Sequence, residues 1–229
     1  VTGKHIASIA APMFKKLSLE LGGKNPNIIF ADCDFDKMLS TTIRSSFANQ
    51  GQICLCGSRI FIERPIYEKF KTAFVEKVSR MKVGNPADDT TKMGAIVSQS
   101  HMEKVLSYVD LAKDEGGTVL TGGNQALVDG ECAEGWFIHP TIIEGLSFDC
   151  RTNQEEIFGP VVTIMPFDTE EEVLMMANST KYGLASTVWT QNLKKAHRMA
   201  RNLHAGIVWI NCWLLRDLRT PFGGAKQSG

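Results

Sequence analysis

Apolar residues recur along this chain with two periods, and the alternation between them predicts its elements. His5 to Phe14 follows a loose helical period, after which Leu17, Leu19 and Leu21 alternate with Ser18 and Glu20 as in a strand that Gly22-Gly23 ends. Asn27 to Ala31 reads as a short buried strand. Asp34 then suits the N-cap of a helix through Ser46, with Met38 or Leu39, Ile43 and Phe47 inward. Asn49-Gln50-Gly51-Gln52 is a turn and Arg59 to Glu63 a strand. Pro65 opens a helix whose inward stripe is Tyr67, Phe70, Phe74, Val78 and Met81. A second helix spans Ser100 to Glu115 with Met102, Val105, Val109 and Ala112 inward, and Gly116-Gly117 stops it before a strand over Thr118 to Leu120. The polar, glycine-rich stretch from Gly122 to Gly135 reads as a surface excursion. Strands follow at Phe137 to Ile143, Val161 to Phe167, Ala185 to Thr190 and Ile207 to Asn211, separated by helices over Thr169 to Ala177 and Leu193 to Leu203. Asp168 or Thr169 with Glu171 or Glu172 resembles a capping box. Strands alternating with helices predict an α/β fold with a mostly parallel sheet sandwiched by helices.

Composition narrows the function classes. Twenty-five basic residues balance 25 acidic ones in 229, so no charge excess argues for nucleic acid or an anionic membrane surface. The apolar runs are too short for a membrane span. Six irregularly spaced cysteines suit a reducing compartment such as the cytoplasm, not a disulfide scaffold. Cys54-Leu55-Cys56 lacks the second Cys or His pair that a zinc site needs, so no metal is expected.

Four spots carry candidate chemistry. Cys54 follows a glycine turn at a helix end, which exposes a thiol and its own N–H to one cavity, as nucleophilic attack on a carbonyl requires. Glu20 alternates with leucines at a predicted strand end. Glu155-Glu156-Ile157-Phe158-Gly159-Pro160 runs two acids into an aromatic before a strand, and Pro221-Phe222-Gly223-Gly224 forms a turn. Each alone also suits a plainer role: a structural cysteine, solvated carboxylates, a simple turn.

Taken together, Leu19-Glu20-Leu21-Gly22-Gly23-Lys24, Gly51-Gln52-Ile53-Cys54, Glu155 to Pro160, Asn211 and Pro221 to Gly224 resemble the aldehyde dehydrogenase superfamily in order and spacing over the entire chain. The resemblance implies that the Cys54 thiolate attacks an aldehyde and forms a thiohemiacetal, then a thioester, with NAD or NADP as hydride acceptor. Glu20 would be the base that activates the hydrolytic water. Glu156 would hold the nicotinamide-side ribose, Phe158 the ring, and the Leu21–Gly22 backbone the carboxamide. The oxyanion would be met by the Cys54 N–H and an asparagine upstream of this chain.

The same resemblance divides the chain into the end of a Rossmann-like NAD-binding domain over 1–22, a catalytic domain over 23–221, and the start of a return segment over 222–229. It makes the chain a fragment, inactive by itself, of a protein that assembles as a homo-oligomer. A narrower likeness lies in Asn211 to Phe222 and in Gln52 to Cys56, which resemble the branch that oxidises 2-aminomuconic and 2-hydroxymuconic semialdehydes. Those substrates carry a carboxylate, for which the forked guanidinium of Arg216, or of Arg219, is a bidentate match ahead of Phe222. Pairing with Asp217 is the plainer role for either arginine. The rival functions are a generalist or retinal-type aldehyde dehydrogenase, a non-enzymatic relative, and a cysteine hydrolase without a redox step.

Overall fold

The computed structural model describes residues 2–229. Its elements are α1 (Thr2–Ala10), β1 (Asn25–Ile29), α2 (Phe35–Phe47), β2 (Gly57–Glu63), α3 (Tyr67–Ser79), α4 (Gln99–Asp114) and β3 (Thr118–Thr121). There follow β4 (Gln125–Ala126), β5 (Phe137–Ile138), β6 (Thr141–Glu144), α5 (Arg151–Gln154), β7 (Val161–Phe167) and α6 (Glu170–Asn178). The chain closes with β8 (Tyr182–Gly183), β9 (Ala185–Trp189), α7 (Leu193–Asn202), β10 (Ile207–Ile210) and β11 (Ala225–Lys226).

Seven strands form one sheet in the order β10-β9-β1-β2-β7-β6-β3. Every pairing is parallel except β3 with β6. Both faces are covered, so the central strands are continuously apolar and not alternating. Ile29, Ile60, Ile62, Val162 and Ile164 pack against Met38, Phe47, Phe70 and Phe74 of α2 and α3. Their neighbours Ile28, Phe61, Met165 and Val188 meet Val173, Met176 and Met199 of α6 and α7 on the other face. Fully burying one such side chain contributes roughly 1.5–3 kcal/mol. The expected α/β sandwich is therefore present.

The helix ends follow their capping chemistry. The Asp34 carboxylate accepts from the Lys37 N–H at 3.2 Å, and Ser98 does the same for α4 from His101. Thr169 caps α6 through the Glu172 N–H, while the Glu172 carboxylate accepts from the Asp168 N–H. Pro140 interrupts the single strand expected over Phe137 to Ile143, leaving β5 and β6 in different sheets.

A second expectation fails as well. Leu17 to Leu21 is not a strand: it runs extended, with the Leu21 N–H donating to the Ser228 carbonyl at 2.9 Å, and no described strand lies alongside to complete a ladder. Alternation there records a segment half covered by neighbours, not one paired in a sheet.

Candidate active site

Cys54 is delivered by the turn that ends α2. Asn49, Gln50 and Gly51 adopt φ of 49°, 57° and 69° in succession, three left-handed residues that reverse the chain within a few ångströms. Gly51 is obligatory, because a Cβ there would collide with the Gly159 carbonyl. The loop beyond is pinned from two sides. Asn25 donates through Nδ2 to the Cys54 carbonyl at 2.7 Å and to that of Cys56 at 2.9 Å, and accepts the Ala185 N–H at 3.0 Å. Trp213 donates its indole N–H to the Leu55 carbonyl at 2.9 Å.

The thiol itself is half-buried. Burial raises its pKa first, the Glu20 carboxylate second, and Glu156 adds to the rise, while its own backbone N–H and the Arg216 guanidinium lower it. Glu20, Glu156 and Arg216 are thus all near enough to bear on the charge of the thiol. Cys56, two residues on, is buried and its thiol is pushed up to about 12 by burial, so it is no rival nucleophile near neutrality. Glu20 is exposed and makes no hydrogen bond or ion pair among the described residues.

Glu156 lines a small pocket together with Cys54. Its Oε1 accepts the Gly23 N–H at 2.8 Å, and a Cβ on Gly22 would meet its Oε2 at 2.6 Å. The double glycine therefore allows carboxylate and backbone to approach. Leu21, Gly22 and Glu156 line a cleft of about 460 Å³ together with Lys4, Lys181 and Tyr182. Phe158 sits at φ 59° and is 37% exposed. An oriented carboxylate and an accessible aromatic are groups that suit a nicotinamide ribose and ring.

A smaller hollow of about 110 Å³ is lined by Trp209, Arg216, Pro221 and Phe222 among others. Arg216 lies over the Phe222 ring at 4.5 Å and has no acidic partner among the described residues. Cys54 and Phe222 pack against the same apolar cluster around Leu55, Trp209 and Trp213. Arg219 differs: it is 91% exposed and ion-paired with Asp217, the plainer role weighed for it. Asn211 is structural, exchanging hydrogen bonds with the Thr190 backbone at 3.0 and 2.9 Å.

Periodicity gave no hint of several supporting residues. Asn25 would have been legible as an amide in an otherwise buried strand, which must satisfy itself by hydrogen bonding. Arg59 is fully buried and donates to the carbonyls of Lys24, Met176 and Ala177 at 2.8–3.0 Å, tying the segment before β1 to the end of α6. The site as a whole lies at the amino-terminal edge of β1, β2, β7 and β9, opposite the carboxyl edge where open α/β sheets ordinarily bind ligands.

Comparison with known proteins agrees with this geometry. The chain is 50% identical over 228 residues to 2-aminomuconic 6-semialdehyde dehydrogenase of Pseudomonas sp, covering all of this chain and 46% of that protein. It is 52% identical over 230 residues to 2-aminomuconic semialdehyde dehydrogenase of Danio rerio, covering 47% of it. The chain thus spans about half the length of the curated relatives it matches. Among solved structures, betaine aldehyde dehydrogenase of Staphylococcus aureus in complex with NAD+ superposes with a TM-score of 0.94 at 43% identity, over 100% of this chain and 45% of that one. Residues 1–229 match the aldehyde dehydrogenase family from end to end, and the chain belongs to that family.

Proposed function

We propose that the full-length protein oxidises a semialdehyde bearing a carboxylate to the corresponding diacid, with NAD as hydride acceptor. One observation carries this reading: Cys54 shares a pocket with Gly23, Glu156 and Phe158, and packs on the same apolar cluster as Phe222, over which Arg216 lies. In this reading the cofactor meets the sulfur from the Glu156 side and the aldehyde from the Phe222 side. The relatives named as 2-aminomuconic and 2-hydroxymuconic semialdehyde dehydrogenases, at 50% and 49% identity, support the substrate class. The solved relative holding NAD+ supports the cofactor.

In this reading the Cys54 thiolate adds to the aldehyde carbon, and the resulting oxyanion meets the Cys54 N–H. Bound dinucleotide supplies a two-electron acceptor for the hydride of that carbon, which becomes a thioester carbonyl. Glu20 takes a proton from the water that hydrolyses the thioester, releasing the acid and the Cys54 thiol. Glu156, oriented by the Gly23 N–H, accepts ribose hydroxyls; Leu21 and Gly22 flank the carboxamide and Phe158 the ring. Arg216 meets the remote carboxylate, with Arg219 as the alternative. Residues 1–22 serve the dinucleotide side, 23–221 the thiol chemistry and 222–229 begin the return of the chain. Self-association as a homo-oligomer belongs to the same reading and is checked by light scattering of the full-length protein.

The test is a panel of carboxylated and uncharged aldehydes compared by kcat/KM on full-length enzyme, beside Cys54→Ala. The variant is expected to lose both NADH production and ester hydrolysis while NAD affinity is retained. Equal turnover of charged and uncharged aldehydes would sink the substrate class. Residual activity in Cys54→Ala would move the nucleophile elsewhere.

A further inference from the structure

The segment between α5 and β7 carries Glu156 and Phe158 but has no regular structure of its own. One face of α4 reaches it at successive points. A ring nitrogen of His101 lies 2.6 Å from the Phe158 carbonyl oxygen. A carbonyl can only accept, so that nitrogen carries the proton. The His101 and Phe158 rings also meet edge to face at 6.2 Å. Lys104 Nζ donates to the Glu156 carbonyl at 3.1 Å. Tyr108 donates to the Glu155 carboxylate at 2.6 Å, and Arg151 holds the same carboxylate from α5 at 3.0 Å. Val105, fully buried, packs so closely that a Cβ on Gly159 would meet it at 2.5 Å.

Positions 101, 104, 105 and 108 form a single helical stripe. What they hold needs holding. Phe158 is a bulky L residue at φ 59°, a conformation that persists only where surrounding contacts over-determine it. Glu156 must keep its carboxylate on the Gly23 N–H while its backbone stays clear of the cleft. The reaction scheme above uses neither His101 nor Tyr108.

We propose that this stripe of α4 is a positioning element for residues 155–159, with His101 and Tyr108 as its anchors. The anchors act on the cofactor side of the site through the Phe158 and Glu156 backbone geometry. Their effect on dinucleotide binding rests on the function proposed above; their mechanical effect on the loop does not.

The test uses full-length His101→Leu, His101→Gln and Tyr108→Phe, each free of cofactor, by amide hydrogen exchange. Three amides report the loop: Gly23, bonded to the Glu156 carboxylate; Thr141, bonded to the Pro160 carbonyl; and Val161, bonded to the Gly159 carbonyl. Exchange at all of them is expected to rise about tenfold in His101→Leu and Tyr108→Phe, the effect of losing one hydrogen bond, while the central amides of β1 and β2 are unchanged. His101→Gln, which keeps a side-chain donor, is expected to stay near wild type. The NAD dissociation constant, read by tryptophan fluorescence, is expected to rise about tenfold in His101→Leu and to recover in His101→Gln. Unchanged exchange in both His101→Leu and Tyr108→Phe overturns the proposal. So does a loosened loop with unaltered NAD affinity. A wild-type protein that binds no dinucleotide overturns the proposed function instead, and exchange alone then decides the role of the stripe.

Discussion

The Cys54 thiol is less acidic than an ordinary cysteine because it is half-buried and faces the Glu20 and Glu156 carboxylates. Glu20 therefore has two opposite potential effects on it, as a repelling charge and as a base, and these can be separated. If Glu20 serves only the hydrolytic water, Glu20→Gln removes a negative neighbour, lowers the thiol pKa and speeds cofactor-free alkylation by iodoacetamide at neutral pH. Slower alkylation would mean that Glu20 generates the thiolate. The same variant is expected to give one NADH per site and then stall about 10²–10⁴-fold below wild type, with acyl-Cys54 trapped by rapid quench. Arg216 is tested by substrate charge. Arg216→Ala is expected to cost ~2–5 kcal/mol in kcat/KM for a carboxylated semialdehyde and little for an uncharged aldehyde of similar length. Arg216→Lys should restore only part, since a point charge cannot reproduce a fork. A uniform loss would reduce Arg216 to support for Phe222, which it covers at 4.5 Å.

At the scale of elements, the site depends on what happens between them. The turn after α2 is the most demanding, with Asn49, Gln50 and Gly51 all left-handed and Gly51 against the Gly159 carbonyl. Gly51→Ala is expected to destabilise the fold by at least ~1–3 kcal/mol, because backbone strain adds to a collision with another backbone. It should also slow Cys54 alkylation, as the turn and the 155–159 loop must separate. Chemical denaturation of wild type and variant measures the first effect; a variant as stable as wild type would show that the turn relaxes freely. Elements such as α3 and α4 were legible in advance, since Phe70, Phe74, Val105 and Val109 repeat with a helical period that only a helix can bury on one face. Leu17 to Leu21 was misread because alternation reports burial of one side, whereas a strand also needs a neighbouring backbone to bond.

For the molecule as a whole, the buried cation Lys24 has a consequence for pH. Burial, with Arg59 adding to it, lowers its pKa from 10.5 to about 7, against an opposing contribution from Glu156. Between pH 7 and 9 the unfolded chain carries the Lys24 proton and the folded chain does not, so stability rises with pH across that window. Lys24→Met is expected to abolish this slope and to stabilise the protein at pH 7. Urea midpoints at pH 7, 8 and 9 in reductant check it; an identical slope in the variant would assign the dependence elsewhere. The thiols of half-buried Cys33 and Cys150 and of buried Cys56, raised to about 11, 11 and 12 chiefly by loss of solvent, act with the opposite sign and only above their ordinary value of 9.0.

The amino-acid sequence by itself determined the α/β class, most helix and strand positions, and the four motifs that identify the family, because burial periodicity and turn chemistry are local properties of consecutive residues. It also carried Cys54, Glu20, Glu156 and Phe158 as candidates, through motifs whose spacing is short. Only the tertiary structure decided which residues share the site. It brought Gly23 to Glu156 across 133 positions and Trp213 to Leu55 across 158, paired Arg219 with Asp217 while leaving Arg216 over Phe222, and set the site at the amino-terminal strand edge. Those relations depend on long-range packing and on satisfying buried hydrogen bonds between distant segments, which no periodicity within a window of residues can express.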